Sequence, residues 1–174
     1  MITHKQIIGL MVTVCIVSAA CGYRFTGSGN FPSDVQRIFI QIFDNRTSEL
    51  GVENDLANEL ADQFTTRGNS AALVSSIKNA DAVLSGVIAS IQITTTSRIT
   101  ETTADARRVI LTVDSKLTAA ADGTIWSAPG VAATATYTVV LNNNEATEDN
   151  KRQALAQAAN ELAEILYNRL VEDL

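Results

Sequence analysis

A chain of 174 residues with 13 Lys and Arg against 19 Asp and Glu carries a formal charge of -6, which argues against a generic nucleic-acid binder. Its single histidine is His4, so beyond the extreme N-terminus a Ser-His-Asp triad, a Cys-His pair, a histidine base and histidine-ligated zinc are all excluded. Neither a GxxxxGKS phosphate loop nor a GxGxxG after a strand is present.

Met1 to Lys5 form a short polar start with one lasting positive charge, and an apolar run from Ile7 to Val17 follows. That run is shorter than the roughly 20 apolar residues a membrane-spanning helix needs, but it suits the core of a secretory signal. Ser18, Ala19 and Ala20 then precede Cys21, an arrangement that resembles a bacterial lipobox, except that Ser18 stands where a larger apolar residue is usual. The expected organisation is therefore a signal peptide over 1–20, a lipidated tether over 21–32 and one domain over 33–174. Covalent lipid on Cys21 takes the place of any cofactor, and acyl chains at about 0.8 kcal/mol per buried methylene hold the chain on a membrane without crossing it. The plainer reading is an ordinary cleaved signal that leaves Cys21 as a free thiol. Cys15 would depart with the signal, so no internal disulfide is expected. Gly22 rather than Asp follows the cysteine, which by the same resemblance points to the outer membrane.

After the Gly- and Ser-rich stretch CGYRFTGSGNFP, the alternation of Ile38, Ile40 and Ile42 with Phe39, Gln41 and Phe43 predicts a strand over 35–43. A polar turn through Asp44, Asn45, Arg46, Thr47 and Ser48 follows, with Thr47 or Ser48 as helix cap. The helix, predicted over 50–67, aligns Val52, Leu56, Leu60 and Phe64 on one stripe and stops at Arg67-Gly68. Ala71 to Val74 has the look of a brief strand. Val83, Val87, Ala89, Ile91 and Ile93 are expected on the apolar face of a long strand over 82–95.

A second long strand, over 109–119, sets Val109, Leu111, Val113, Leu117 and Ala119 opposite Thr112, Asp114, Lys116 and Thr118. Asp122-Gly123 predicts a tight turn, and the last strand runs to Val139 with a bulge near Pro129-Gly130 and Thr134, Thr136 and Thr138 on its polar face. Trp126 is expected at the sheet edge. A C-terminal helix over 148–172 carries Leu155, Leu162, Leu166 and Leu170 on its stripe. The fold class is α+β: a two-layer sandwich with a four-stranded, mostly antiparallel sheet and two helices on one face, in the order β-α-β-β-β-α.

The lipobox followed by Cys-Gly-Tyr-Arg-Phe, then Ile-Phe-Asp-Asn-Arg-Thr, Ala-Asp-Ala-Val-Leu-Ser-Gly-Val and Gly-Thr-Ile-Trp, resembles the lipopolysaccharide-assembly lipoprotein family LptE. The resemblance implies a non-enzymatic partner of a large outer-membrane β-barrel, LptD. Such a lipoprotein, periplasm-facing or inside the barrel lumen, assists the barrel's assembly, plugs it and helps deliver lipopolysaccharide to the outer leaflet. A sheet face of Thr112, Lys116, Thr134, Thr136 and Thr138 suits a polar lumen, and suits plain solvent equally. The runner-up is an accessory lipoprotein of another outer-membrane secretion or envelope-scaffold system. A carboxylate hydrolase using Asp34, Asp44 or Glu49 is the remaining rival, although nothing in the sequence indicates the paired acids it needs.

Guanidinium groups bind phosphates in bidentate fashion, and lipid A carries phosphates, so Arg98, Arg107 and Arg108 at one hairpin tip are the candidate lipopolysaccharide contacts, with Lys116 extending the positive surface. Glu101 and Asp105 lie between them and are able to neutralise the cluster. Lys151 and Arg152 stand near the expected start of the last helix, where the dipole disfavours cations, and Asn45 and Arg46 occupy the turn after the first strand, where they brace the fold or touch a barrel; these four are candidate partner contacts. No catalytic residue and no metal site is expected.

Overall fold

The computed structural model describes residues 35–67, 71–97, 105–119 and 123–174. The expected signal peptide, Cys21, the tether and Arg98 lie outside them. Among the described residues nine elements follow in chain order: β1 Arg37–Ile40, β2 Asp44–Asn45, α1 Val52–Arg67, β3 Ala72–Leu73, a 3-10 turn Ile77–Asn79, β4 Ala82–Ser97, β5 Ala106–Ala119, β6 Gly123–Thr138 and α2 Asn144–Asp173. The two-layer α+β architecture is as expected, but the sheet has six strands rather than four, ordered β3-β1-β4-β5-β6 with β2 also against β4. It is mixed: β1 runs parallel to β3 and β4, β2 runs parallel to β4, and only β4, β5 and β6 form an antiparallel meander.

The first expected strand is broken in two because its alternation fails. Ile38 is buried, but Ile42 is 56% exposed and Phe43 turns inward to 2%. Phe43 finds its place over Gly86 of β4, where an added Cβ would come within 2.5 Å of the ring. Gln41 donates its backbone N–H to the Leu84 carbonyl at 2.9 Å and so carries the pairing from β1 towards β2. The start of the parallel pair is tied by Asp81. One carboxylate oxygen accepts the backbone N–H of Arg37 at 2.9 Å and of Gln36 at 3.2 Å, while the other accepts the Arg37 guanidinium at 2.7 Å.

The hydrogen bond from the Arg37 side chain, ahead of every other influence, holds the Asp81 carboxyl below its usual range. A carboxyl depressed in the folded state contributes stability above its unfolded pKa of about 3.9, and that contribution is lost as pH falls through the folded value. Asp81→Asn is therefore expected to lower the urea midpoint at pH 7, with the gap to the parent closing on acidification below about pH 3.9. A gap that stays constant from pH 7 to pH 2 refutes the charge tie.

The largest departure lies in β4. Its buried residues are Ala82, Leu84 and Ile88, whereas Val83 and Val87 are on the opposite, open face. Ile88 pairs with Val113 and Ser90 with Thr112, leaving Ala89 as an extra residue that reverses the alternation. Beyond this bulge Ile91 and Ile93 face the core side, opposite Leu111 and Val109. In β5 and β6 the expected faces are observed: Val109, Leu111, Val113, Leu117, Val131, Ala133, Ala135 and Tyr137 are all buried. The bulge before Val131 is closed by the Gly130 N–H, which donates to Asp114 Oδ1 at 2.8 Å while Gly130 takes φ 64°, a region that a side chain disfavours.

Both helices pack against each other and share one core with the sheet. The Leu and Ala stripe of α2 buries Leu155, Leu162, Leu166 and Leu170 together with Ala154, Ala158, Ala159 and Ala163, the small residues allowing close approach of α1 and β6. Phe64 of α1 meets Tyr167 of α2 edge-on, with ring centroids 5.1 Å apart. Below that contact Arg67 binds Glu164 at 2.7 Å and Asn168 at 3.0 Å, and its carbonyl accepts the Tyr167 hydroxyl at 3.2 Å. Trp126 is on the edge strand as expected, buried to 7%, with its indole N–H donating to Asp173 at 3.1 Å.

Candidate functional site: the open sheet face and the turn after the first strands

Cross-strand register defines the face that the helices leave uncovered among the described residues. Thr94, Arg108 and Thr136 form one row, followed by Gln92, Ile110 and Thr134, then Ser90, Thr112 and Ala132, then Ser85, Lys116 and Ser127. Hydroxyls and amides dominate it, with Arg108, Asp114 and Lys116 as its charges on β5. Arg108 and Lys116 share this face but are eight residues apart on one strand, or about 27 Å at 3.4 Å per residue. Arg107, its neighbour in sequence, is half-buried on the helix side, in a row with Thr95 and Tyr137. The described cations of the proposed cluster are therefore split between two faces, because adjacent residues of a strand point opposite ways.

The turn after β2 is built around Asn45. Its Nδ2 donates to the Glu49 carbonyl at 2.8 Å and to Glu53 Oε2 at 2.7 Å, while its Oδ1 accepts the Thr47 N–H at 2.9 Å and the Thr47 hydroxyl at 2.8 Å. Glu53 also accepts the Gly51 N–H at 3.1 Å, so the helix entrance is closed by its own acid, and neither Thr47 nor Ser48 acts as the cap. Hydrogen bonds to Glu53, first from its own backbone and then from Asn45, hold its carboxyl below the usual range. Asn45 is thus a structural brace. Arg46, by contrast, is two-thirds exposed and paired with Asp44 at 3.3 Å. It borders a groove of about 450 Å³ lined by the polar Thr47, Ser48, Glu49 and Ser90 and by the apolar Ile91 and Ile93. The groove was not legible in the sequence: Ile91 and Ile93 lie on the apolar side as expected, but only the parallel pairing of β2 with β4 brings the Arg46 turn beside them.

Lys151 and Arg152 lie two turns inside α2. The helix begins at Asn144, capped by Asn143, whose side chain accepts the Ala146 N–H at 3.0 Å, so the expected dipole penalty on the two cations does not arise. Arg152 is exposed and paired with Asp149 one turn back. Lys151 is 15% exposed and bridges Glu148 at 2.8 Å and Glu49 at 3.1 Å, tying the Asn45 turn to α2. The Glu148 hydrogen bond, which outweighs the opposing cost of burial, raises its pKa above the usual lysine value. Lys151→Met leaves the partly buried Glu49 without its partner and is expected to cost about 1–2 kcal/mol in urea unfolding at pH 7. Its effect vanishes above the raised lysine pKa, where the parent too has lost the charge.

These surfaces offer hydroxyl, amide and guanidinium groups for binding, and the described residues contain no group of three or more His, Cys, Asp or Glu placed to hold a metal. No described helix is long and apolar enough to cross a membrane.

The architecture is that of small bacterial lipoproteins of known structure. The minor lipoprotein of Acinetobacter baumannii aligns with a TM-score of 0.55 at 13% identity, over 82% of this chain and 95% of that one. Lipoprotein B of Nitrosomonas europaea gives 0.54 at 14% identity, over 86% and 90%. The rare lipoprotein B of Shewanella oneidensis gives 0.50 at 9% identity, over 79% and 92%. No curated protein sequence matches the chain. The LptE lipopolysaccharide-assembly family profile matches residues 35–170, and the chain belongs to that family. Its members are accessory lipoproteins without enzymatic activity or cofactor.

Proposed function

We propose that the protein is an outer-membrane lipoprotein, anchored through acyl chains on Cys21, that partners an LptD-like β-barrel and takes part in delivering lipopolysaccharide to the outer leaflet. Family membership over 35–170 is the observation that carries this reading. The uncovered sheet face of Thr94, Gln92, Thr112, Lys116, Thr134 and Thr136 supports it, since a barrel lumen is polar and presents complementary hydrogen-bonding groups. Arg98 and Arg108 supply the phosphate-binding guanidinium groups, with Arg46, in the groove lined by Ile91 and Ile93, as a second candidate contact for an amphiphilic phosphate.

The deciding experiment is extraction of the tagged protein from membranes in mild detergent, followed by mass identification of what accompanies it. A stoichiometric large β-barrel together with lipopolysaccharide is expected, and Cys21→Ser is expected to release the protein from the membrane fraction. Recovery with a secretion channel, or with nothing, overturns the barrel assignment. Reversal of charge in Arg98→Glu/Arg108→Glu is expected to weaken lipopolysaccharide binding by the purified protein about tenfold. Unchanged binding removes these two residues from the site.

A further inference from the structure

β6 is the last strand of the sheet, paired with β5 along one side and with no described strand along the other. It is 16 residues long, and from Gly123 to Asn144 the sequence contains no charged residue. Exposed edges of this length are usually protected by lysines, by inward-pointing charges or by a covering element, because their free N–H and C=O groups template another strand. Among the described residues the protection is limited to bulges near Ile125 and at Pro129-Gly130 and to Asn150 at the Thr138 end, and between these Val131 to Tyr137 pair continuously with β5 and present an uninterrupted edge. Beside that edge lies a groove of about 230 Å³ between β6 and α2, lined by Thr136, Tyr137, Thr138, Asn150, Gln153 and Gln157. The three carboxamides stand at helical spacings of three and four, so one stripe of α2 overlooks the strand. Asn150 already donates to the Thr138 carbonyl at 2.8 Å, as a carboxamide does when it takes a backbone partner.

We infer that the Val131–Tyr137 edge of β6, with the carboxamide stripe of α2, receives an extended, uncharged strand of the partner polypeptide by backbone pairing. The inference rests on the proposed partnership and names its mode of contact. Regularly spaced backbone donors and acceptors are complemented by another extended backbone, and carboxamides both donate to and accept from peptide groups. The edge strand itself, without charge from Gly123 to Asn144, matches a strand equally free of charge, and the cation beside it, Arg108, belongs to β5, across from Thr136. The chain's own N-terminal segment enters at Val35 ahead of β1, on the other side of β4 and β5, which makes it a poor occupant.

A photo-crosslinking residue placed at exposed Thr134 and, separately, at exposed Thr136 tests this in membranes of cells producing the full chain, with Lys116, one strand further in, as comparison. Strand addition is expected to give crosslinks to one polypeptide whose attachment point moves by two residues when the probe moves by two. Thr134→Lys/Thr136→Lys, which alters only exposed side chains, is expected to reduce recovery of that polypeptide at least tenfold. Crosslinks in register to a polypeptide that is not a β-barrel support the edge and sink the barrel reading. Crosslinks to a barrel from Lys116 but not from β6 keep the barrel reading and overturn the edge. Crosslinks from β6 only to a second copy of this chain, or none from any position, overturn the inference.

Discussion

Gly86→Ala is expected to destabilise the domain by about 3 kcal/mol, and Gly86→Val to prevent folding altogether. The added Cβ would lie 2.3 Å from the Asp114 carbonyl and 2.5 Å from the Phe43 ring. Neither neighbour moves freely: Asp114 is held in the β5 ladder and anchors the β6 bulge through Gly130, and Phe43 is 2% exposed in the core. Phe43→Ala separates the two obstacles. If the ring alone were responsible, the double variant Phe43→Ala/Gly86→Ala would be no worse than Phe43→Ala. Because the carbonyl remains, a further loss is expected, read as a lower urea midpoint with unchanged slope.

The second large effect is expected at Asn45, where one side chain makes four hydrogen bonds. Asn45→Ala deprives the Glu49 carbonyl and Glu53 of their donor and is expected to cost about 2–3 kcal/mol. Asn45→Asp is worse at neutral pH, since it keeps the shape but sets a second carboxylate against Glu53, where 2.7 Å now separates donor from acceptor. Protonation restores a donor, so the deficit of the aspartate variant shrinks on acidification further than that of the alanine variant, which gives back only the part Asn45 supplies by holding the Glu53 carboxyl below its usual range. Equal deficits for the two variants at pH 7 refute the repulsion argument. Because Lys151 reaches the same turn through Glu49, the loss extends to the walls of the Arg46 groove.

The two helices and the strands β5 and β6 were legible because each buries a regular stripe, at a period of 3.6 or 2, against a continuous partner. Short parallel strands leave a fainter mark: β3, two residues long, lies within the apolar piece Ala71 to Val74 expected as a brief strand, whereas two-residue β2 was read as turn, and the chain commits to it through backbone bonds such as Arg46 N–H to the Ile88 carbonyl at 3.2 Å. β4 misled in a different way. Val83 and Val87 alternate correctly with one another, yet Ala89 adds one residue and sends the apolar series before and after it to opposite faces. A bulge made of ordinary residues has no composition signal, whereas the one at Pro129-Gly130 announces itself. The earlier start of α2 was readable, since Asn143 with Glu145 behind it is a cap followed by an acid in the first turn. Among the candidate site residues, the bracing role of Asn45 and the separation of Arg107 from Arg108 follow from elementary strand and turn geometry. The Arg46 groove depends on tertiary contacts and does not.

The mixed sheet also dictates an order of events during folding. β4, β5 and β6 are joined by short connections and pair with residues close by in sequence, so their closure costs little chain entropy. β1 pairs with β4 across α1, matching Ile38 with Ala82, and cannot gain from that contact until the intervening chain has been ordered. The meander is therefore the early, self-sufficient part, and the N-terminal β-α-β unit closes over it afterwards. Amide exchange in the native state should mirror this hierarchy, with β1 and β3 opening at lower free energy than β5. Under the proposed lipid anchor at Cys21, the last segment to dock is also the first after the tether in sequence, and tension on the anchor would reach it first.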